Sequence, residues 1–203
     1  MVERNERMSE WVSRCFRVLS GAALLLAVMP GAAHAGKPPK ISVEPIAMMG
    51  VAVPGGTLLA RTKEGVFASI HAAGLAEGTV ATGWIAIFQN PEHCATDPCS
   101  PADLTNASVE ASVLALGGRV VGTDGAVDLG GFRAVGDATG PGGPPGTPNV
   151  GLLRPFKAEI HLVIRTHGPA SMDPAVLLQQ LSSFNGGCPP NTCANLMASV
   201  HQP

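Results

Sequence analysis

Short apolar runs of strand length, separated by turns rich in glycine, proline and aspartate, recur along the chain from residue 41 to residue 202. The runs are "ISVEPIAMM", "GVFASIHAAG", "GTVATGWIAIF", "VEASVLALGGRVVG", "AVDLGGFRAV", "LLRPFKAEIHLVIRTH" and "ANLMASVHQ". Several strands at this spacing, rich in valine, isoleucine and glycine, are typical of antiparallel sandwiches and barrels. The sequence therefore predicts an all-β fold, an immunoglobulin-like antiparallel β-sandwich or barrel.

Turn signals predict which of these strands pair. "GVFASIHAAG" and "GTVATGWIAIF" flank the short segment "LAEG", and the next two runs flank "TDG", so both pairs are predicted to form hairpins. In the second run, Trp84 and Phe88 fall on one face and Ile85 and Ile87 on the other. Because both faces are apolar, this segment is predicted to be a central strand with Trp84 as a core anchor.

One helix interrupts the strand pattern in the C-terminal half, within "MDPAVLLQQLSSF". Asp173 is the predicted N-cap and Pro174 the first helical residue, and Gly186–Gly187 ends the segment. Its apolar face consists of Val176, Leu177, Leu181 and Phe184. The helix is predicted to cover an end or a face of the sandwich, with partner binding as the alternative.

The Gly/Pro-rich segment "GDATGPGGPPGTPN", residues 136–149, is predicted to be a loop. It is long for a connection without regular structure inside one domain. A tolerated insertion is the favoured interpretation, and a flexible lid is the alternative.

Residues 1–35 have the three parts of a secretory signal peptide. Arg14 and Arg17 precede the apolar run "VLSGAALLLAVMP", and "GAAHA" follows with Ala33 and Ala35 at the positions that a signal peptidase reads. The run is too short for a permanent transmembrane helix. We expect cleavage after Ala35, a secreted or periplasmic product without a stable transmembrane segment, and a single domain over residues 36–203. An uncleaved N-terminal anchor is the alternative.

The net charge of residues 36–203 indicates which classes of partner are unfavourable. Residues 36–203 contain nine lysine and arginine residues and twelve aspartate and glutamate residues, a net charge of about −3, without a basic patch. Nucleic acid is therefore a poor candidate as a partner. The chain has no tyrosine, and its scarce aromatic residues argue against a stacking platform for sugars. An unidentified ligand or an envelope protein is the expected partner.

Four cysteines follow the predicted signal peptide in two pairs of identical C-x4-C spacing, "CATDPC" and "CPPNTC". In an exported protein an even number of cysteines indicates disulfides first. Each segment carries proline beside a turn-forming residue, which favours the local pairings Cys94–Cys99 and Cys188–Cys193 over the other two combinations. A zinc site built from all four thiolates is the alternative.

The segment "AEIHLVIRTHGPA" concentrates the candidate site residues. As a strand it places Glu159, His161, Arg165 and His167 on one face. His161 and His167 then lie roughly 20 Å apart, so one ion cannot bind both. A copper or zinc site would combine His161 and Glu159 with histidines from elsewhere, of which His71 and His93 are the candidates. The alternative is a solvated or hydrogen-bonded polar row.

Catalysis has less support. The sequence contains neither a G-x-S-x-G nucleophile elbow nor a phosphate-binding loop. No serine and histidine occur at a spacing that indicates a triad, and no catalytic residue is predicted.

Three stretches, "HAAGLAEGTVATGWIAIFQNPEHC", "AEIHLVIRTHGPA" and "SSFNGGCPPNTC", together resemble a family of uncharacterised exported bacterial proteins over most of residues 65–201. The matching positions are Trp84, Asn90, Pro91, Cys94, Glu159, His161, His167, Gly168, Pro169 and Cys188. Thr82–Gly83 departs from the pattern, in which a bulkier aromatic residue precedes the tryptophan. The stretch "IHLVIRTHGPA" is also similar to the CHRD domain, an extracellular β-rich module of chordin-type proteins. These resemblances imply an exported β-rich protein and imply no activity.

Two hypotheses of function follow from the sequence. The first is an exported β-sandwich that acts as a non-enzymatic binding or envelope-associated module and needs no cofactor. The second is a metal-binding protein or metal-dependent enzyme that uses His161 and Glu159 with copper or zinc.

Overall fold

The computed structural model describes residues 37–48, 51–52, 54–188 and 193–203, so the predicted signal peptide lies outside the described residues. Regular structure consists mainly of strands: β1 (Lys40–Glu44), β2 (Ala47–Met48), β3 (Val51–Ala52), β4 (Gly55–Arg61), β5 (Gly65–Ala72), β6 (Thr79–Phe88), β7 (Ser112–Val120), β8 (Val127–Ala134), β9 (Glu159–Pro169) and β10 (Ala194–His201). Residues Pro91–His93 and Pro101–Thr105 form short 3-10 helices, and Pro174–Ser182 forms the helix α1. In the described part of the chain, no helix has the length and apolar character needed to cross a membrane.

The strands form two antiparallel sheets. A four-stranded sheet has the order β1-β4-β5-β8, and a six-stranded sheet has the order β3-β2-β10-β9-β6-β7. The predicted all-β, sandwich-like fold with one short helix in the C-terminal half is confirmed. Strand β6 is buried on both faces and lies between β7 and β9, as predicted for a central strand.

Both predicted hairpins are wrong. β5 pairs with β4 and β8, whereas β6 pairs with β7 and β9, so the chain changes sheet at "LAEG". It changes sheet again between β7 and β8, although the predicted turn is present, with the Gly125 amide donating to the Gly122 carbonyl at 3.1 Å. The reason is burial. β6 is apolar on both faces and requires an interior position in the larger sheet, whereas β5 buries mainly alternate residues.

The main hydrophobic core lies between the sheets and includes Leu59, Ile70, Ile85, Leu114 and Leu162. At one end this interior becomes polar. The buried Arg61 guanidinium donates to four backbone carbonyls, those of Pro155, Ala158, His201 and Gln202. The buried His201 ring contacts two hydroxyls, Ser42 Oγ at 2.7 Å from Nδ1 and Thr57 Oγ1 at 2.9 Å from Nε2. Strand β10 is thereby fixed to the opposite sheet.

A second hydrophobic cluster lies on the outer face of the six-stranded sheet, where Trp84, Phe88 and Val113 are almost completely buried. The segment between β6 and β7 covers one part of this face, and α1 packs against β6 and β7 over another. The Asp173 side chain accepts hydrogen bonds from the first backbone amides of α1, which confirms the predicted cap. The predicted covering role of this helix agrees with its position.

The Gly/Pro-rich loop 136–149 lies along β7, one of the two edge strands of the six-stranded sheet. Gly142 forms an isolated bridge with Leu114, and the Asn149 amide donates to the Ala111 carbonyl at 3.0 Å. At Gly143 a Cβ atom would lie 2.3 Å from Val113 Cβ, so only glycine permits this approach. The loop thus covers backbone groups that an edge strand would otherwise expose.

Candidate functional site

The polar row predicted on β9 faces the outer side of the six-stranded sheet. It is not the wet side of a half-buried strand, because Glu159 is 1% exposed and His167 is fully buried. Arg165 is also buried, and only His161 is partly accessible. The covering segments bury this row, which must therefore satisfy its polar groups by internal hydrogen bonds.

Glu159 connects β9 to the first disulfide loop. Its Oε1 atom accepts the Cys99 amide at 2.7 Å and the His161 Nε2–H at 2.6 Å. Burial lowers the pKa of His161, and the hydrogen bond and negative charge of Glu159 act in the opposite direction. With burial as the larger effect, His161 is neutral at pH 7 and its Nδ1 is an acceptor. Nδ1 has no hydrogen-bond partner among the described residues.

A narrow cleft of about 60 Å³ opens over the centre of this face. Its walls combine aromatic and aliphatic groups with two polar side chains: Trp84, Ala86, Phe88, Pro101, Leu104, Val113, His161, Val163, Phe184 and Asn195. Trp84 and Phe184 meet edge to face with ring centroids 4.9 Å apart, and Phe88 packs at the same centroid distance from the His161 ring. A concave apolar wall with a few polar groups is the usual composition of a ligand site.

Arg165 holds together the segments that form the far side of the cleft. Its Nε donates to the Phe184 carbonyl, and Nη1 and Nη2 donate to the side-chain oxygens of Asn195 and Asn185, each at 2.7 Å. Nη2 also donates to the Cys193 carbonyl at 3.2 Å. In the described part of the chain, no carboxylate pairs with this guanidinium. The backbone carbonyls and asparagine oxygens that accept its hydrogen bonds therefore stabilise its positive charge.

His167 is the centre of a buried hydrogen-bond chain. The Trp84 indole N–H donates to Thr82 Oγ1 at 2.8 Å, and Thr82 Oγ1 lies 2.9 Å from His167 Nε2. On the other side of the ring, Nδ1–H donates to the Gly186 carbonyl at 3.1 Å. Burial, which is opposed by that hydrogen bond and reinforced by the nearby Arg165 charge, lowers the pKa of His167.

Both predicted local disulfides, Cys94–Cys99 and Cys188–Cys193, are present, which confirms the pairing. The four-thiolate alternative is not supported, because the pairs lie against Glu159 and His167, which are about 26 Å apart along β9. The second pair adjoins a histidine: His167 Nδ1 lies 3.3 Å from Cys188 Sγ and 3.4 Å from Cys193 Sγ. Within the described ranges, these three residues are the group whose potential metal-ligand atoms all lie within 4.8 Å of one another.

The structure brings together only two of the four residues proposed for a copper or zinc site, His161 and Glu159. His71 lies on the four-stranded sheet, where its exposed ring contacts Asp128 at 2.8 Å. His93 lies exposed in the 3-10 helix after β6. No three of these four are grouped as metal ligands in the described residues.

Three residues of the site were not predicted from the sequence: Thr82, Asn195 and Phe184 bring together β6, β10 and the segment after α1. Phe184 was assigned to the apolar face of the helix, although it lies beyond its last turn. One signal was present. A polar residue within an otherwise apolar central strand, as at Thr82, requires an internal partner.

Comparison of the chain with protein-family models, curated proteins and solved structures finds no match.

Proposed function

We propose that this protein is an exported, non-enzymatic binding module, and that its ligand site is the cleft on the outer face of the six-stranded sheet. The observation that carries the proposal is the composition of this cleft, an apolar wall around Trp84, Val163 and Phe184 with two polar groups at its margin. Two disulfides are compatible with an extracellular location, which the resemblances noted above also imply as an expectation.

The two polar side chains of the cleft, His161 and Asn195, determine which hydrogen-bonding groups a ligand needs. His161 Nδ1 can accept a hydrogen bond from a ligand. The side-chain oxygen of Asn195 accepts from Arg165, so the side-chain N–H groups of Asn195 are left to donate to a ligand. A ligand with an N–H or O–H and a carbonyl or hydroxyl oxygen satisfies both. The cleft volume of about 60 Å³ admits one small apolar group rather than a whole aromatic ligand. The preferred ligand is thus an amide or alcohol that carries a leucine-sized apolar side chain.

A binding role is favoured over catalysis by the partners of His161. Its hydrogen bond among the described residues goes to Glu159, which orients the ring as in a catalytic dyad. A covalent mechanism also requires a nucleophile within hydrogen-bond reach of the histidine. No serine, threonine or cysteine side chain makes a hydrogen bond with His161 in the described part of the chain.

The test uses N-acetyl-leucinamide as the probe and N-acetyl-glycinamide as its match without the apolar group. Trp84 is the fluorescent reporter once Trp11, the other tryptophan, is replaced by phenylalanine in the full-length chain. Burial of a leucine side chain is worth about 1.5–3 kcal/mol, so we expect the leucine probe to bind roughly tenfold to a hundredfold more tightly.

Val163→Met fills the cleft from β9 and should weaken binding of the leucine probe by about tenfold or more. Val43→Met, on the exposed face of β1, is the matched control and should leave binding unchanged. Equal affinity for the two probes, or equal effects of the two variants, would refute the cleft as the ligand site.

A further inference from the structure

We propose that the Cys188–Cys193 disulfide, when reduced, forms with His167 a three-coordinate site for monovalent copper. This inference is independent of the ligand proposed for the cleft. It rests on the position of His167 Nδ1, which lies at nearly equal distances, 3.3 and 3.4 Å, from the two sulfur atoms. Metal–sulfur bonds of about 2.3 Å place trigonal ligands roughly 4 Å apart. The two nitrogen–sulfur distances are close to this spacing, and the two sulfur atoms, which are bonded to each other in the disulfide, have to separate to it after reduction.

The histidine can change tautomer and keep a hydrogen bond on Nε2, although Nδ1 then no longer donates to the Gly186 carbonyl. With the disulfide formed, Nδ1–H donates to Gly186 and Nε2 faces the Thr82 hydroxyl. A metal on Nδ1 requires the proton on Nε2, where the Thr82 oxygen can accept it while its own hydroxyl turns toward the Arg165 carbonyl, 3.4 Å away. Metal-binding histidines are commonly oriented by such a partner on the other ring nitrogen.

Charge and ligand number favour copper(I) over zinc. Two thiolates and one copper(I) ion carry a net charge of −1, and the buried Arg165 guanidinium, bonded to the Cys193 carbonyl, supplies the compensating +1. A zinc ion would leave the same surroundings with an excess positive charge. Structural zinc sites also almost always have four protein ligands, whereas this group has three. Soft thiolates are suitable ligands for copper(I).

The disulfide is accessible to a reductant. An open groove of about 520 Å³, lined by Val176, Gln180, Gly187 and Cys188 among others, reaches the second loop from solvent. The reductant is a dithiol, whose own disulfide forms as the Cys188–Cys193 bond accepts two electrons and two protons. Binding of copper(I) then releases the two thiol protons. Copper binding and the Cys188–Cys193 disulfide are thus mutually exclusive.

The first loop supplies an internal control. Cys94 and Cys99 have the same spacing, but the charged side chain that contacts this pair is the Glu159 carboxylate, which accepts the Cys99 amide. No histidine joins their sulfur atoms in a group of metal ligands within the described ranges. The proposal therefore predicts copper at one loop only.

The experiment uses the full-length protein with Cys15→Ser, reduced without oxygen by a phosphine and supplied with copper(I) as its acetonitrile complex. We expect one copper per chain by elemental analysis after desalting. Cys94→Ser/Cys99→Ser should keep that copper, and Cys188→Ser/Cys193→Ser should lose it. Competition with bicinchoninate should show a tenfold to hundredfold loss of affinity in Thr82→Val, which Thr82→Ser restores.

His167→Asn should lower the affinity by at least tenfold, with circular dichroism confirming that each variant is folded. Several results would overturn the proposal: no copper bound to the reduced, folded protein, copper retained without the second cysteine pair, unchanged affinity in a folded His167→Asn variant, or tighter binding of zinc than of copper(I). Because none of these measurements uses the cleft or its probe, they are independent of the test of the binding function.

Discussion

Two disulfide loops of identical C-x4-C spacing lie against opposite ends of β9, and the strand gives each a different chemical environment. Glu159 accepts the Cys99 amide at the first loop, and Cys99 is buried there. At the second loop His167 contacts both sulfur atoms, and Arg165 donates to the Cys193 carbonyl. Spacing therefore determines the pairing of the cysteines, whereas their chemistry depends on the side chains that the neighbouring strand presents.

The largest effect is expected where the first loop meets Glu159. Glu159→Ala leaves two donors, the buried Cys99 amide and the partly buried His161 Nε2–H, without their acceptor, which should lower the free energy of unfolding by about 4 kcal/mol. Glu159→Gln keeps an acceptor oxygen and should cost less than half as much. Urea denaturation measures both. Equal losses in the two variants would mean that the carboxylate acts by charge and not as an acceptor.

Acid should destabilise the Glu159 end of the sheet through His201, which pairs with Ile160. Burial, followed by the charge of Arg61 and by that of His161 once it is protonated in acid, lowers the pKa of His201 to about 4. The unfolded chain, with a pKa of about 6.5, binds the proton first, so stability is complete above pH 6.5 and falls as the pH approaches 4, by on the order of 3 kcal/mol. His201→Gln should flatten this dependence.

Lowering of the His167 pKa makes a contribution of the same sign at the opposite end of β9. Denaturation at a series of pH values, compared between the parent protein and His201→Gln, separates the His201 contribution from those of His167 and of His161, whose pKa is also lowered. An unchanged pH profile in His201→Gln would contradict the assignment of the larger contribution to His201.

Removal of either disulfide tests whether the loops differ in stability as well as in chemistry. Equal loop lengths give an equal chain-entropy contribution of about 2 kcal/mol. Cys94→Ser/Cys99→Ser should cost more than this because it buries a hydroxyl at position 99, whereas Cys188→Ser/Cys193→Ser should cost about 2 kcal/mol. Unfolding free energies from urea titration give the comparison, and a larger loss at the second loop would reverse it.

The smallest effect is expected from the helix that precedes the second loop. Asp173→Ala removes the acceptor for the Ala175 amide at 2.8 Å and should cost about 1 kcal/mol. Asp173→Asn keeps a capping oxygen and is the control. Hydrogen exchange should show faster opening near Phe184 and unchanged protection near Cys99. Faster exchange at both loops would mean that they are not independent.

Local signals were sufficient for much of this fold. Asp173 and Pro174 predicted the start of α1, and the apolar faces around Trp84 predicted a central strand. The hairpins failed because a turn fixes the direction of the chain but not the sheet that the next strand joins. That choice depends on which strand needs burial on both faces, a property of the whole sandwich.

The candidate site was predicted only where its residues share one strand. Glu159 and His161 are two positions apart on β9 and do contact each other. His71 was a candidate by residue type alone, and it belongs to the other sheet. The grouping of His167 with Cys188 and Cys193 depends on the path of the chain after α1, and strand periodicity carries no information about that path.

The Gly/Pro-rich loop on β7 has a consequence for self-association. Its contacts at Leu114 and Ala111 occupy backbone groups that would otherwise template the addition of a strand from another molecule. A bulky side chain at Gly143 would displace the loop from Val113. The edge of β7 would then be exposed and could pair with a strand of another molecule. The segment with the least regular structure thus protects one edge of the six-stranded sheet from pairing with another chain.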